Sequence, residues 1–408
     1  MTLLPCAVLL CAPFVRASLP SLNDTSFHTL DASNCPSCNT RTLWDILLSC
    51  ALTLFACTWT AIHPNIPGMN ESKVAITSRR LFIMVIALIA PELMITWATR
   101  QFFSARWTVT HGFFAWMGGF MLYVNDRPRA TLTPHELMKF VRNGSVDMPV
   151  ITEAEIEDRS KGDGLSKGIA VLQLAWFIAQ LVARYIQNLP ITLLEIDTLA
   201  VAVLTCIAYA LWWKKPKDVG CPYIVHLKAT ATLPDRLSYE YVIKRHVIRP
   251  FVCLMGITAK ASARSRRVPS LGGYANSFDY HQYDGRGLLT TYPVGEIILF
   301  IGCFSGMVFG GVHCLGWDYF FHNQVEHILW RATSLLIICA PVVISLDALA
   351  IMWHKPTPMI FGFSLGQIAA LIYITARVTL IVLMIMSLQS LPTGVYNTVA
   401  WTTFIPHL

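Results

Sequence analysis

Two charged residues, Glu92 and Arg377, lie deep inside apolar segments that are long enough to cross a lipid bilayer. At 1.5 Å per residue, Glu92 lies roughly 18 Å and Arg377 roughly 27 Å along its segment, so neither can extend easily to the headgroups. A charge at that depth is costly and indicates function by default. Pro91, which precedes Glu92, is typical of a helix that is broken around a ligand. The pair is predicted either to line a cavity for a proton or an anion, or to be a buried structural pair.

Asp347, near the inner end of another apolar segment, is the third candidate for this ligand site. A carboxyl in apolar surroundings holds its proton more tightly, which would suit Glu92 or Asp347 to general acid chemistry. No catalytic residue is assigned, because the chain contains no HExxH, Walker or GxGxxG motif. No metal site and no cofactor are predicted. His111 and His313 are predicted to be hydrogen-bonded core residues rather than ligands.

A tight turn, 187–190, joins two apolar segments and brings Arg184 close to two acidic residues. A structural ion pair of Arg184 with Glu195 or Asp197 is the predicted role of these charges. Glu195 and Asp197 are two residues apart and therefore lie on different helix faces, so only one of them can readily face Arg184. Thr192 and Glu195 also fit a capping box, which predicts a helix start at this point.

The composition predicts an all-α, polytopic transmembrane bundle. Of the residues, 54% are apolar and 13% are charged, whereas soluble domains carry about 25% charged residues. The sequence predicts about eight spans. They are 43–63, 81–99, 107–124, 168–187, 191–213, 294–317, 328–352 and 360–388. The third span is short and rich in glycine, and a re-entrant or interfacial helix is the alternative.

The basic residues predict how these spans are oriented. With both termini extracytoplasmic, 24 of the 31 lysines and arginines fall in inner segments and three in outer ones, as the positive-inside rule requires. The first membrane half, 43–213, then includes a helical cytoplasmic loop at 125–167. The second half, 291–388, follows a long cytoplasmic loop, and the tail 389–408 is extracytoplasmic. The parity of this arrangement depends on the third span crossing.

The cytoplasmic loop 214–290 carries 13 basic and five acidic residues. Its mixture of basic and apolar side chains predicts contact with anionic lipid headgroups. A topogenic role explains the charge, so no nucleic-acid partner is predicted.

The N-terminal residues predict entry into the secretory pathway. Residues 1–17 resemble a signal peptide, with an uncleaved anchor as the alternative. The extracytoplasmic segment 18–42 contains Cys35 and Cys38, predicted to form a local disulfide, and Asn23, a glycosylation acceptor. Localisation to a membrane of the secretory pathway or to the plasma membrane is the resulting prediction.

Three stretches, 41–68, 107–120 and 151–216, resemble a family of polytopic membrane proteins of filamentous fungi. The resemblance covers about the first 220 residues well. It implies a membrane topology and a fungal source, and it assigns no role to any residue.

Two functional hypotheses follow. The first is a transporter, channel or sensor whose charged mid-membrane cavity takes a small anionic or lipophilic ligand. The alternative is an integral-membrane enzyme acting on a lipophilic substrate, such as a terpene cyclase of a secondary-metabolite pathway that uses an embedded carboxyl as general acid.

Overall fold

The computed structural model describes residues 40–67, 71–104, 108–132, 134–161, 164–229, 231, 294–321, 323–353 and 365–400. The predicted signal peptide, the Cys35–Cys38 disulfide and the Asn23 acceptor lie outside these residues. Most of the basic loop 214–290 and the last eight residues of the tail also lie outside them.

The described residues are mostly helical, with one small sheet. The elements, in chain order, are α1 (Leu43–Ala61), α2 (Lys73–Ile89), α3 (Pro91–Ser104), α4 (Val109–Trp116), β1 (Phe120–Val124), β2 (Arg127–Leu132), α5 (Pro134–Arg142), α6 (Glu153–Asp158), α7 (Gly164–Ile186), α8 (Leu193–Leu211), β3 (Tyr223–His226), α9 (Val294–His313), α10 (Gln324–Trp353) and α11 (Leu365–Ser387). Six of these helices are long and apolar enough to cross a membrane: α1, α7, α8, α9, α10 and α11.

The capping patterns in the sequence mark the helix starts correctly. Thr192 and Glu195 form the predicted capping box at the start of α8, and Thr152 begins α6 in the same way. Gly144 follows α5 with φ 68°, a left-handed conformation that favours glycine. Local side-chain hydrogen bonds therefore fix the two helix starts, and the backbone conformation of a glycine fixes the end of α5.

The helix bundle has two distinct ends. At one end, called here the sheet end, Lys217 Nζ donates to the carbonyls of Trp59 at 3.2 Å and Thr60 at 3.1 Å, in the last turn of α1. At the other, the turn end, Arg41 precedes α1 and binds Glu195 in the first turn of α8, with Nη1 2.6 Å from Oε1. Helices α1 and α8 therefore run in the same direction.

Helices α2 and α3, called here the bent pair, are separated by a 114° bend at Ala90. About midway along α2, Arg80 Nη1 lies 3.0 Å from both carboxylate oxygens of Asp218. Near the end of α3, Gln101 Oε1 accepts from Lys215 Nζ at 2.8 Å. Because Lys215 and Asp218 are three residues apart, Arg80 and Gln101 both lie at the sheet end. Segment 81–99 therefore does not form one straight span, and the pair has the geometry of a re-entrant element.

The third predicted span, 107–124, is also wrong. It forms the eight-residue helix α4 and then strand β1, which is the middle strand of a sheet in the order β2-β1-β3. Gly119 lies between them because a Cβ there would be 2.4 Å from the Phe114 carbonyl oxygen. Strand β1 pairs antiparallel with β2 through Asn125 and Asp126, both with positive φ, and parallel with β3.

Apart from the bent pair and segment 107–124, the described residues contain six candidate membrane-spanning helices. An even number of crossings would return the two ends of the bundle to one side of the membrane. Arg41 N donates to Tyr396 O at 2.6 Å, which places the start of α1 and the segment after α11 together at the turn end.

Cysteine labelling is expected to place both ends of the bent pair on one side of the membrane. In a cysteine-free background, Val74→Cys and Val109→Cys, both at exposed positions, should react with a membrane-impermeant maleimide from the same side as Met148→Cys. Tyr185→Cys, near the turn end of α7, should react from the opposite side. Labelling of Val74→Cys and Val109→Cys from opposite sides would show that the bent pair crosses.

Candidate functional site

The break in the bent pair exposes two helix ends inside the bundle. Helix α2 stops at Ile89, and Pro91, which has no N–H to donate, begins α3. Arg377 of α11 satisfies one of the carbonyls at this break, with Nη2 donating to Ile89 O at 2.9 Å. Cations favour helix C-termini because the last carbonyls carry partial negative charge. Arg377 therefore acts as a distant cap for α2.

Arg377 itself is only 5% exposed. Its guanidinium carbon lies 3.4 Å from the centre of the Phe309 ring, a close cation–π contact. Its Nη1 is 4.0 Å from Asp197 Oδ1, which is too long for a hydrogen bond. Among the described residues, Nε and Nη1 have no hydrogen-bond partner. The arginine is thus charge-balanced by Asp197 but keeps unused N–H donors.

Asp197 also contacts His313. His313 Nδ1 lies 2.8 Å from the carbonyl of Phe309, which can accept a hydrogen bond from the ring. Its Nε2 is 3.2 Å from Asp197 Oδ1. The prediction of His313 as a hydrogen-bonded core residue agrees with this geometry.

Glu92 lies in the first turn of α3 and is 9% exposed. Its carboxyl and the Tyr373 hydroxyl of α11 are close enough to interact. Among the described residues, however, neither Glu92 Oε2 nor this hydroxyl has a partner at full hydrogen-bond geometry. Helix α9 can approach because it presents glycines to this region. A Cβ at Gly302 would be 2.6 Å from Thr96 Oγ1, and one at Gly306 would be 3.3 Å from the Tyr373 hydroxyl oxygen.

The predicted ligand trio is only partly brought together. Arg377 binds Ile89, three residues before Glu92, so these two share the tip of the bent pair. Asp347 instead accepts from the backbone N–H of Gly366 at 3.2 Å, in the first turn of α11. Gly366 is about 16 Å along α11 from Arg377. Asp347 is therefore a cap of α11, and its placement in one cavity with Glu92 and Arg377 is wrong.

The predicted ion pair of Arg184 with Glu195 or Asp197 is also wrong. Arg184 donates to backbone carbonyls: Pro190 O at 2.7 Å from Nη2, Val395 O at 3.0 Å from Nη2, and Asn397 O at 2.7 Å from Nη1. Arg41 forms the ion pair with Glu195 instead. The reason is that the segment after α11 folds back over the turn and offers closer acceptors.

His111 does not lie in a membrane span. It belongs to α4, and its Nε2 lies 2.8 Å from the Ile151 carbonyl, just before α6. The prediction that it is a hydrogen-bonded core residue is confirmed, although its predicted position in a span is not.

Sequence reasoning missed a buried lysine at the sheet end. Lys215 Nζ donates to His63 O at 2.5 Å, to Asn65 Oδ1 at 3.2 Å and to Gln101 Oε1 at 2.8 Å. The rings of Trp97 and Trp212 lie 5.2 Å and 5.0 Å from the amine. Burial lowers the pKa of Lys215 well below that of an exposed lysine. Its acceptors are all neutral, and it joins the ends of α1, α3 and α8.

The comparisons with known proteins give one match. Residues 14–110 and 104–239 match the model of a family of unknown function, DUF8562, and together they span more than half of the chain. The chain belongs to this family. No curated protein and no solved structure matches it.

The DUF8562 match covers only part of the site. Glu92 and Asp197 fall within the matched residues, whereas His313 and Arg377 come later in the chain. The site at the tip of the bent pair therefore joins the DUF8562 region to the second half of the bundle.

Proposed function

We propose that the protein is an integral-membrane transporter whose ligand site is the tip of the bent pair. The observation that supports this most directly is the unused hydrogen-bonding capacity at the break. Arg377 and Glu92 are both more than nine-tenths buried, and each keeps polar atoms without a hydrogen-bond partner among the described residues. Broken helices at membrane depth are tolerated where they line a cavity, and transporters commonly bind their substrates at such breaks.

The contacts of the bent pair suit a two-state movement. A hydrogen bond from Arg377 Nη2 to Ile89 O joins its tip to α11, whereas Arg80, midway along α2, and Gln101, near the end of α3, hold the pair at the sheet end. A ligand that competes for Arg377 would release the tip while these two anchors stay in place. Hinge movements of this kind are one of the ways in which a ligand switches a protein between two states.

The proposed orientation puts the sheet end on the cytoplasmic side of the membrane, which is the plasma membrane or a membrane of the secretory pathway. The loops at this end include the basic segments that the positive-inside rule assigns to the cytoplasm. Arg100, near the end of α3, joins this side because the bent pair returns to it. The long basic loop 214–290 would then meet anionic lipid headgroups.

An enzyme is the second candidate, and Glu92 is the observation that favours it. A buried carboxyl with an unpartnered oxygen beside an apolar substrate could protonate an alkene or an epoxide. Asp347 no longer competes for this role, because its carboxylate accepts from Gly366.

Flux measurements distinguish the two candidates. Proteoliposomes loaded with a pH-sensitive dye are exposed to gradients of sulfate, succinate, alanine or choline, and both the interior pH and the membrane current are recorded. We expect a response to at least one solute in the wild type and in Arg331→Gln, a matched arginine control at the turn end. Glu92→Gln and Arg377→Gln should lose it. Two results together would reject transport in favour of catalysis. Folded wild-type protein would give no response to any solute, and it would convert an epoxy-prenyl substrate in a reaction that requires Glu92.

A further inference from the structure

We infer that the tip of the bent pair binds a small oxyanion on Arg377 and that Glu92 takes up a proton when the anion binds. This inference rests on the proposed function, because it names the ligand of the same site. It comes from the balance of donors, acceptors and charges around the break.

The tip is rich in donors. Arginine is always charged and its planar N–H groups match the oxygens of a carboxylate, sulfonate, sulfate or phosphate. Among the described residues, Nε and Nη1 of Arg377 have no hydrogen-bond partner, and neither has the hydroxyl of Tyr373, one turn earlier on α11. Helix α3 also begins here, with the positive end of its dipole at the break. An oxyanion would satisfy donors from two elements at once.

Asp197 does not fill these donors. At 4.0 Å from Arg377 Nη1 it balances the charge without a hydrogen bond. Its Oδ1 is already held by His313 at 3.2 Å. An anion can therefore bind Arg377 without first displacing a hydrogen-bonded carboxylate.

The bound anion creates an excess of negative charge, which Glu92 can relieve. Several titratable or charged groups surround the tip. They are Tyr373 and Arg377 of α11, Asp197 of α8, and Cys303 and His313 of α9. With one arginine among them, an ionised Glu92 would repel the anion, whereas a protonated Glu92 would offer it a hydrogen bond. Anion binding should thus be stronger at low pH.

The test uses purified full-length protein and two probes of fixed charge, sulfate and methanesulfonate. The midpoint of thermal unfolding is followed against anion concentration, because a ligand that binds only the folded state raises the midpoint in proportion to its occupancy. The wild type should show a saturable rise that depends on the anion and is the same with sodium or potassium. Its apparent Kd should increase with pH by up to about tenfold per pH unit, the limit for uptake of one proton.

Five variants separate the roles. Arg377→Gln should weaken binding at least about tenfold, an effect of the size expected for a lost charge-assisted contact, whereas Arg331→Gln and Asp347→Asn should bind like the wild type. Glu92→Gln should bind with little dependence on pH. If Arg377→Gln does not fold, Asp197→Asn tests the inference instead. Removal of the carboxylate charge that competes with the anion for Arg377 should tighten anion binding.

Three results would overturn the inference: saturable binding retained in Arg377→Gln, unchanged or weaker binding in Asp197→Asn, or stabilisation that follows the cation. The outcomes for transport are separate. Anion binding without flux would support this site and reject a transporter, whereas flux of choline that requires Glu92 would support transport and reject the anion.

Discussion

Arg377→Met is expected to lower the free energy of unfolding by about 3 to 5 kcal/mol, the cost of removing one partner from a buried charge pair. Methionine is of similar length and leaves little empty volume, so the loss is mainly electrostatic. Asp197 would keep its charge without the arginine 4.0 Å away, and the carbonyl of Ile89 would lose its donor. The measurement is unfolding of the purified protein in mild detergent by heat or by titration with a denaturing detergent.

A double-mutant cycle identifies the cause of that loss. If the unpaired carboxylate dominates, Asp197→Asn should recover about half or more of the stability when it is added to Arg377→Met, because neighbouring sites are not additive. Arg377→Lys should lose less than Arg377→Met, since the charge remains although the planar fork does not. A loss below about 1 kcal/mol in Arg377→Met, with no recovery in the double variant, would show that the two charges do not form a pair.

The sequence predicts the local features of this fold well, because they depend on residues close together in the chain. The capping box at Thr192 and the helix end at Gly144 follow from side-chain and backbone preferences within one turn. Six apolar helices were also recognised from length and hydropathy. The prediction of a span at 107–124 is wrong because a buried strand and a buried helix have similar hydropathy. Strand β1 is covered on both sides within its sheet.

The partners of the charged residues could not be predicted, because they are distant in sequence. Arg184 donates to carbonyls more than 200 residues later in the chain, and Glu195 pairs with Arg41, which lies 154 residues earlier. The burial of Glu92 and Arg377 agrees with their depth in apolar segments, and Pro91 predicts the break. That α3 turns back to the sheet end depends on Gln101 meeting Lys215. No local pattern encodes that contact.

Acid conditions are expected to destabilise the protein through His63. This side chain is 2% exposed, and its Nδ1 donates to the Ala61 carbonyl at 2.8 Å. Burial, followed by the positive charges of Lys215 and Lys217, lowers its pKa from 6.5 to about 3. A folded-state pKa below the unfolded value means that the unfolded chain binds more protons between these two pH values. The free energy of unfolding should therefore be unaffected by His63 above about pH 6.5 and should fall as the pH is lowered towards about 3.

The expected slope for this one group is up to about 1.4 kcal/mol per pH unit. His63→Asn is the matched variant, because its amide N–H can replace the Nδ1 donor and does not titrate. Unfolding measured from about pH 7 to about pH 4 should show a shallower dependence in His63→Asn than in the wild type, with the curves diverging only below about pH 6.5. Parallel curves would mean that the pKa of His63 is the same in the folded and the unfolded protein. In the folded protein, protonation of this buried ring would place a second positive charge near Lys215, whose amine donates to the His63 carbonyl. Because Lys215 also donates to Gln101 near the end of α3, protonation of His63 is expected to weaken this anchor of the bent pair.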